Sequence, residues 1–303
     1  MAKKTYTNEE IQRTANKIRK QVLKFAIERG GCYITQTNSS AEILATLYLD
    51  VMNLGDSLGD PDGIPFPGVP DPDNMDFPRG SLYNGPTKAP YDRFFLSPAH
   101  YACTLYCTLF AVGRVSETGI ERFNKDGWIF EQIGAEHSPG FETTAGSLAQ
   151  TISVACGHAH ARKLKGEEGT IWCFMSDGEL EEGQLWEAVQ AAAFYKLDNF
   201  VLVCDINGQQ IEGPTKEIMN TQPLYDRFTA FGAKTVEIDG HDIQAIKDAC
   251  RTAHPGQPLV VLCNTKPTHG MPFLDHRTER LHFVNVKTPE QIAEAKAFYD
   301  SME

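Results

Sequence analysis

Four short apolar runs constrain this chain more than any other feature. They lie at residues 170–174, 200–205, 235–238 and 259–263, and are apolar almost throughout rather than at every second position. A strand of that kind is covered on both faces. Stretches of helical character at 183–196, 223–231 and 242–253 separate the runs. Repeated strand, helix, strand predicts an α/β fold, a parallel sheet with helices on both faces.

Upstream the chain reads as helical. Thr7 and Glu10 form a capping box, followed at helical spacing by Ile11, Ala15, Ile18, Val22, Phe25 and Ala26. Gly30-Gly31 ends that helix. Ser39 and Glu42 read as a second capping box ahead of Ile43, Leu44, Leu47 and Tyr48. Residues 97–113 and 143–164 predict two further helices, and a terminal helix starts near Pro289. Residues 54–91 are dense in Gly, Pro and Asp, so they predict a long loop. Such a loop is either a solvated insertion or part of a subunit interface or active-site mouth.

The formal net charge is −12, which disfavours nucleic acid and anionic membrane as partners. No run of about 18 apolar residues is present, so no membrane-spanning helix is expected. The amino terminus, Met1-Ala2-Lys3-Lys4, lacks the apolar core of a secretory signal. The eight cysteines form no CxxC pair and mostly sit among apolar neighbours. Reduced, buried thiols in a cytoplasmic protein are the expectation.

The chemistry gathers in two places: Ser176-Asp177-Gly178-Glu179-Leu180-Glu181-Glu182-Gly183, and Asp205-Ile206-Asn207-Gly208-Gln209. Asp177 and Asn207 each follow an apolar strand, at the sheet edge where α/β proteins bind ligands. A carboxylate and an amide oxygen suit a hard cation, Mg²⁺ or Ca²⁺, that keeps positions open for phosphate oxygens. Gly178 lets the backbone approach a phosphate, and the helix that opens next turns its positive end the same way.

Asp-Gly, an intervening stretch, then Asn207 resembles the thiamine-diphosphate motif. The run through Gln184-Leu185-Trp186-Glu187-Ala188 is similar to transketolase. So are Asp92-Arg93-Phe94-Phe95-Leu96-Ser97-Pro98-Ala99-His100, Gly140-Phe141-Glu142-Thr143-Thr144-Ala145-Gly146-Ser147-Leu148, Asn207-Gly208-Gln209-Gln210-Ile211-Glu212-Gly213 and Asp239-Gly240-His241-Asp242. The resemblance covers most of residues 10–285. It implies that 1–303 form a single diphosphate-binding domain of transketolase type.

The resemblance further implies that Asp177, Asn207 and the main-chain oxygen of Gln209 hold the metal. It places Gly178 and His100 at the diphosphate, Gly146, Ser147 and Leu148 along the cofactor rings, and Ile211 beneath them. His282, with His269 as rival, matches a cofactor-facing imidazole. Glu182 and Glu187 match acids near a dimer contact. His100, His282, Tyr33 and Glu182 are the candidate catalytic residues. Tyr33 and Gln132 stand where the family has imidazoles facing the sugar, which implies an altered substrate end.

The family needs a pyrimidine-binding domain, and this sequence carries none after the first. A split, transketolase-like enzyme is therefore expected, an α2β2 assembly with a second subunit carrying the pyrimidine-binding and C-terminal domains. It would move a two-carbon ketol unit from a ketose, phosphorylated or otherwise anionic, to an aldehyde. The alternatives are a 2-oxo acid decarboxylating component, a deoxyxylulose-phosphate-synthase-like enzyme, or a non-catalytic cofactor-binding subunit.

Overall fold

The computed structural model describes residues 5–75, 77–277 and 281–302; the amino-terminal stretch 1–4, where a secretory signal was not expected, lies outside them. Five strands make the central sheet: β1 (Arg93–Leu96), β2 (Ile171–Ser176), β3 (Phe200–Ile206), β4 (Lys234–Asp239) and β5 (Leu259–Asn264). All pair in parallel, in the order β1-β2-β3-β5-β4. The four apolar runs are β2 to β5. β1 was legible only as part of a regular stretch.

Eight helices of seven residues or more accompany the sheet among the described residues. They are α1 (Asn8–Arg29), α2 (Ile34–Thr46), α3 (Ala102–Ala111), α4 (Gln150–Lys165), α5 (Gly183–Phe194), α6 (Leu224–Ala230), α7 (Ile243–Cys250) and α8 (Pro289–Ser301). Side-chain alternation along the strands sends residues to opposite faces. Phe94, Leu96, Trp172, Phe174, Val201, Val203 and Val261 bury against α1, α2, α3 and α7. Phe95, Cys173, Met175, Leu202, Cys204, Val260 and Leu262 bury against α4, α5 and α6. Each fully buried Phe or Leu contributes roughly 1.5–3 kcal/mol, which is why the strands read as unbroken apolar runs. All eight cysteines are free and buried. No helix of the described residues is long and apolar enough to cross a membrane.

The capping box on α1 forms: Glu10 Oε2 accepts from the Thr7 N–H at 2.8 Å and Thr7 Oγ1 accepts from the Glu10 N–H at 3.2 Å. Gly30 ends the helix at φ 78°. The second expected box does not form. α2 starts at Ile34, so Ser39 and Glu42 lie inside it, and the whole helix is buried. Ser39 Oγ donates to Asp205 at 2.5 Å instead, while both Glu42 oxygens take the Arg19 guanidinium at 2.5 Å. A buried acid requires a charge partner more than a helix start requires a second cap.

Two other expectations shift. α4 begins at Gln150, not 143, because Ala149 adopts φ 58° and the chain before it runs as a loop. The described residues of the 54–91 loop, apart from one tight turn at Gly80–Asn84, are irregular; much of 56–75 is exposed, and the loop is held at a few points. The Gly80 N–H donates to Glu136 O at 2.7 Å, and a Cβ on Gly80 would stand 1.8 Å from Ser138 O. Phe66 and Phe77 close on the His137 ring. The loop thus docks on residues 127–141.

Candidate active site

The parallel sheet brings its strand ends to one edge, and a cleft of about 640 Å³ opens there. β1 runs out into Ser97-Pro98 and a short turn carrying His100. β2 delivers Asp177 and Gly178, and β3 delivers Asn207. Register explains the meeting: Ser176 pairs with Asp205, so the loops after the two strands leave side by side.

Asp177 is the centre of that meeting. Its carboxylate is buried and accepts from the Asn207 N–H at 3.0 Å and the Gly208 N–H at 2.5 Å. Asn207 Oδ1 accepts from the Gln209 N–H at 3.0 Å, and its amide nitrogen donates to Tyr101 Oη and Asp205 Oδ2, both at 3.2 Å. Asp205, fully buried, also receives Ser39, Tyr101 and Thr265 hydroxyls. Burial pushes the Asp177 carboxyl well above the usual range, and the neighbouring Asp205 pushes it further. Burial raises Asp205 too, against the pull of its four donors. Among the described residues neither carboxylate pairs with Lys, Arg or His. Two buried carboxyls without a counter-charge, next to an amide oxygen, form a donor set that a hard divalent cation would balance.

The cleft wall includes His100, Gly146, Leu148, Gly178, Glu182, Asn207, Gln209, Ile211 and His282. A Cβ on Gly146 would meet nothing within 4 Å, so the backbone there faces open space. Leu148 and Ile211 are exposed, apolar side chains presented to a ligand. His100 and His282 face each other with ring centroids 4.8 Å apart. Burial drives the His100 imidazole down to about 3, with His282 adding to the shift, and burial also lowers His282. Both are therefore neutral rings that can donate or accept near pH 7.

Some expected residues lie elsewhere. Ser147 is exposed but is not part of the cleft wall. Tyr33 backs the two imidazoles, its ring centroid 5.6 Å from that of His100 and 5.5 Å from that of His282, while Gln132 Oε1 accepts from Asn124 Nδ2 at 3.0 Å. Glu187 is exposed in a separate groove between α4 and α5. His282 lines the cleft and His269 does not: the latter stacks on His241, ring centroids 3.6 Å apart, beside Glu42. Glu42, His241 and His269 have ligand spacing, but both His241 nitrogens are engaged, by Glu42 and by the Lys266 N–H, and Arg19 already neutralises the acid.

Sequence reasoning missed four contributors: Gln36, Tyr101, Glu179 and Asp205. Glu179 is buried in the cleft wall, accepts from Ser97 Oγ and from the Ala149 and Ser176 N–H groups, and is raised by burial to about 7. Its place inside the Asp-Gly-Glu run was the available signal. Gln36, Tyr101 and Asp205 meet their partners through long-range packing that no local pattern shows.

Residues 81–300 match the family described as transketolase, thiamine diphosphate binding domain. A Sinorhizobium fredii protein named as a putative uncharacterized transketolase family protein is 36% identical over 299 residues, 97% of this chain and 96% of that one. An Actinobacillus succinogenes protein named as one subunit of apulose-4-phosphate transketolase is 31% identical over 279 residues, 91% of each chain. The crystal structure of Campylobacter jejuni transketolase superposes with a TM-score of 0.76 at 22% identity, over 98% of this chain but 43% of that one. The chain spans less than half the length of that solved transketolase and nearly the whole length of the two relatives. This chain belongs to the transketolase family and carries its thiamine-diphosphate-binding domain.

Proposed function

We propose that this chain is the diphosphate- and metal-binding subunit of a two-subunit transketolase-like enzyme. The enzyme moves a two-carbon ketol unit from a ketose to an aldehyde. The observation that carries the reading is the uncompensated pair of buried carboxyls, Asp177 and Asp205, behind Asn207, which itself lines the cleft. Asp177, Asn207 and the main-chain oxygen of Gln209 would hold Mg²⁺ or Ca²⁺ against the diphosphate. Gly178 would leave room for the phosphate oxygens, and His100 and His282 would donate hydrogen bonds to them as neutral rings. Gly146, Ser147, Leu148 and Ile211 would flank the cofactor's rings. When bound, thiamine diphosphate supplies the nucleophilic carbon on which carbon–carbon cleavage depends.

The residues of this chain orient that group and exclude water; activation falls to a second subunit with the pyrimidine-binding and C-terminal domains. Support comes from the Actinobacillus succinogenes relative, itself named as a transketolase subunit, which this chain matches along nearly its full length. An α2β2 assembly is supported by the face of α4 and α5, where Val154, Leu164, Phe194 and Tyr195 are exposed around a largely apolar groove. Glu187, exposed in the single chain, would be covered there, whereas Glu182 lines the cleft. Buried free thiols support a cytoplasmic setting. The substrate class is an anionic sugar, in keeping with the sugar phosphate in that relative's name. Tyr33 and Gln132 would face its hydroxyls with neutral hydrogen-bonding groups.

Ketol transfer measured on the purified chain, alone and with a pyrimidine-domain chain added, tests the proposal. Turnover should require both. Robust turnover by the single chain would refute the two-subunit reading.

A further inference from the structure

His282 reaches the cleft on a segment that is otherwise far away in sequence. Three contacts tether that segment's backbone to the start of α2. Gly31 and Cys32 pair with Asn285 and Val284, Thr35 Oγ1 donates to Leu281 O at 2.6 Å, and the Tyr33 ring packs edge-on against Phe283. One side chain from α2 reaches the imidazole itself. Gln36 Nε2 lies 2.9 Å from His282 O and 3.4 Å from His282 Nδ1.

The orientation of the Gln36 amide follows from its neighbours. A main-chain carbonyl can only accept, so the amide end facing His282 O must be the nitrogen. The other end, Oε1, lies 3.1 Å from Thr35 Oγ1, whose one proton goes to Leu281 O, so the His282 carbonyl alone sets the orientation. With one N–H given to the carbonyl, the second has Nδ1 within reach at 3.4 Å. A donation there requires a lone pair on Nδ1, with the ring proton on Nε2. A ring nitrogen's partner decides the tautomer, as it does for metal-bound imidazoles.

We propose that Gln36 is a positioning residue that holds His282 as its Nε2–H tautomer in the cleft. The neutral ring then offers a hydrogen rather than a lone pair to an anionic oxygen. In the other tautomer Nε2 would repel the same oxygen. The consequence for binding rests on reading the cleft as the diphosphate site; the tautomer itself does not.

The test is ¹⁵N NMR of the histidine rings in the full chain, with His282 assigned by substitution. Wild type should show a protonated Nε2 and a bare Nδ1. Gln36→Met keeps the bulk and removes both N–H donors, so its His282 resonances should move toward a mixture of tautomers. A protonated Nδ1 in wild type overturns the proposal, and so does an unchanged pattern in Gln36→Met. The same variant should bind thiamine diphosphate with Mg²⁺ about tenfold more weakly by calorimetry. Unchanged affinity, in a variant whose tautomer has shifted, overturns the positioning role. The tautomer is read without ligand, so a wrong cofactor assignment leaves that arm intact, and a wrong tautomer sinks the proposal even where thiamine diphosphate binds.

Discussion

His100→Gln should make the fold more tolerant of acid. The His100 imidazole is half-buried beside His282 in the cleft wall, and desolvation there lowers its folded-state pKa to about 3 from 6.5. The unfolded chain therefore binds a proton that the folded chain refuses. The group's folded pKa is depressed, so its stability is complete above pH 6.5 and is lost as pH falls from there toward 3. Each pH unit inside that window costs about 1.4 kcal/mol. Between pH 8 and pH 5 the loss comes to roughly 2 kcal/mol. Glutamine keeps a polar group of similar reach and takes up no proton. Urea denaturation of both proteins at pH 8, 6 and 5 isolates the effect, because every other titrating group is common to both. The stability gap between wild type and variant should shift by about 2 kcal/mol in the variant's favour from pH 8 to pH 5. A gap that does not move with pH would show that His100 titrates normally, and the neutral-imidazole account of the cleft would fail.

Two further substitutions probe separate parts of the account. Arg19→Met leaves Glu42 buried without its cation, with Gln12, His241 and the more distant His269 beside it, so it should cost roughly 3–5 kcal/mol in a thermal or urea melt. A loss under about 1 kcal/mol would mean the ion pair is incidental to the packing of α1 on α2. Tyr33→His places an imidazole beside His100 and His282. With the second subunit present it should raise kcat/KM on common sugar phosphates; no change or a loss would remove Tyr33 as the cause of an altered substrate end.

Much of this molecule was legible because its strands are covered on both faces. Leu202 and Val203 face opposite helical layers, so neither could be polar, and the run betrays the parallel sheet. Asp177 and Asn207 were legible because polar residues directly after such runs have one place to be, the strand-end edge. What stayed hidden was set by contacts across long stretches of chain. Ser39 answers to Asp205, 166 residues on, and Glu42 answers to Arg19, so a Ser-x-x-Glu spacing that looks like a cap marks a buried polar helix instead. Residues 143–149 carry helix-compatible residues, yet Ala149 turns left-handed and the loop before it supplies Gly146 and Leu148 to the cleft. The resemblance prefers His282 to His269, but that His282 and not His269 lines the cleft shows only with the pairing of Asn285 and Val284 to Gly31 and Cys32.

The central claim is that a divalent cation at Asp177 and Asn207 anchors the diphosphate. Titration calorimetry of thiamine diphosphate into wild type and Asp177→Ala, each with Mg²⁺ and with chelator, tests it most directly. The account predicts metal-dependent binding to wild type, lost on chelation and lost in Asp177→Ala with Mg²⁺ present. Equal affinity in wild type and Asp177→Ala, or binding to wild type that ignores the chelator, would contradict it.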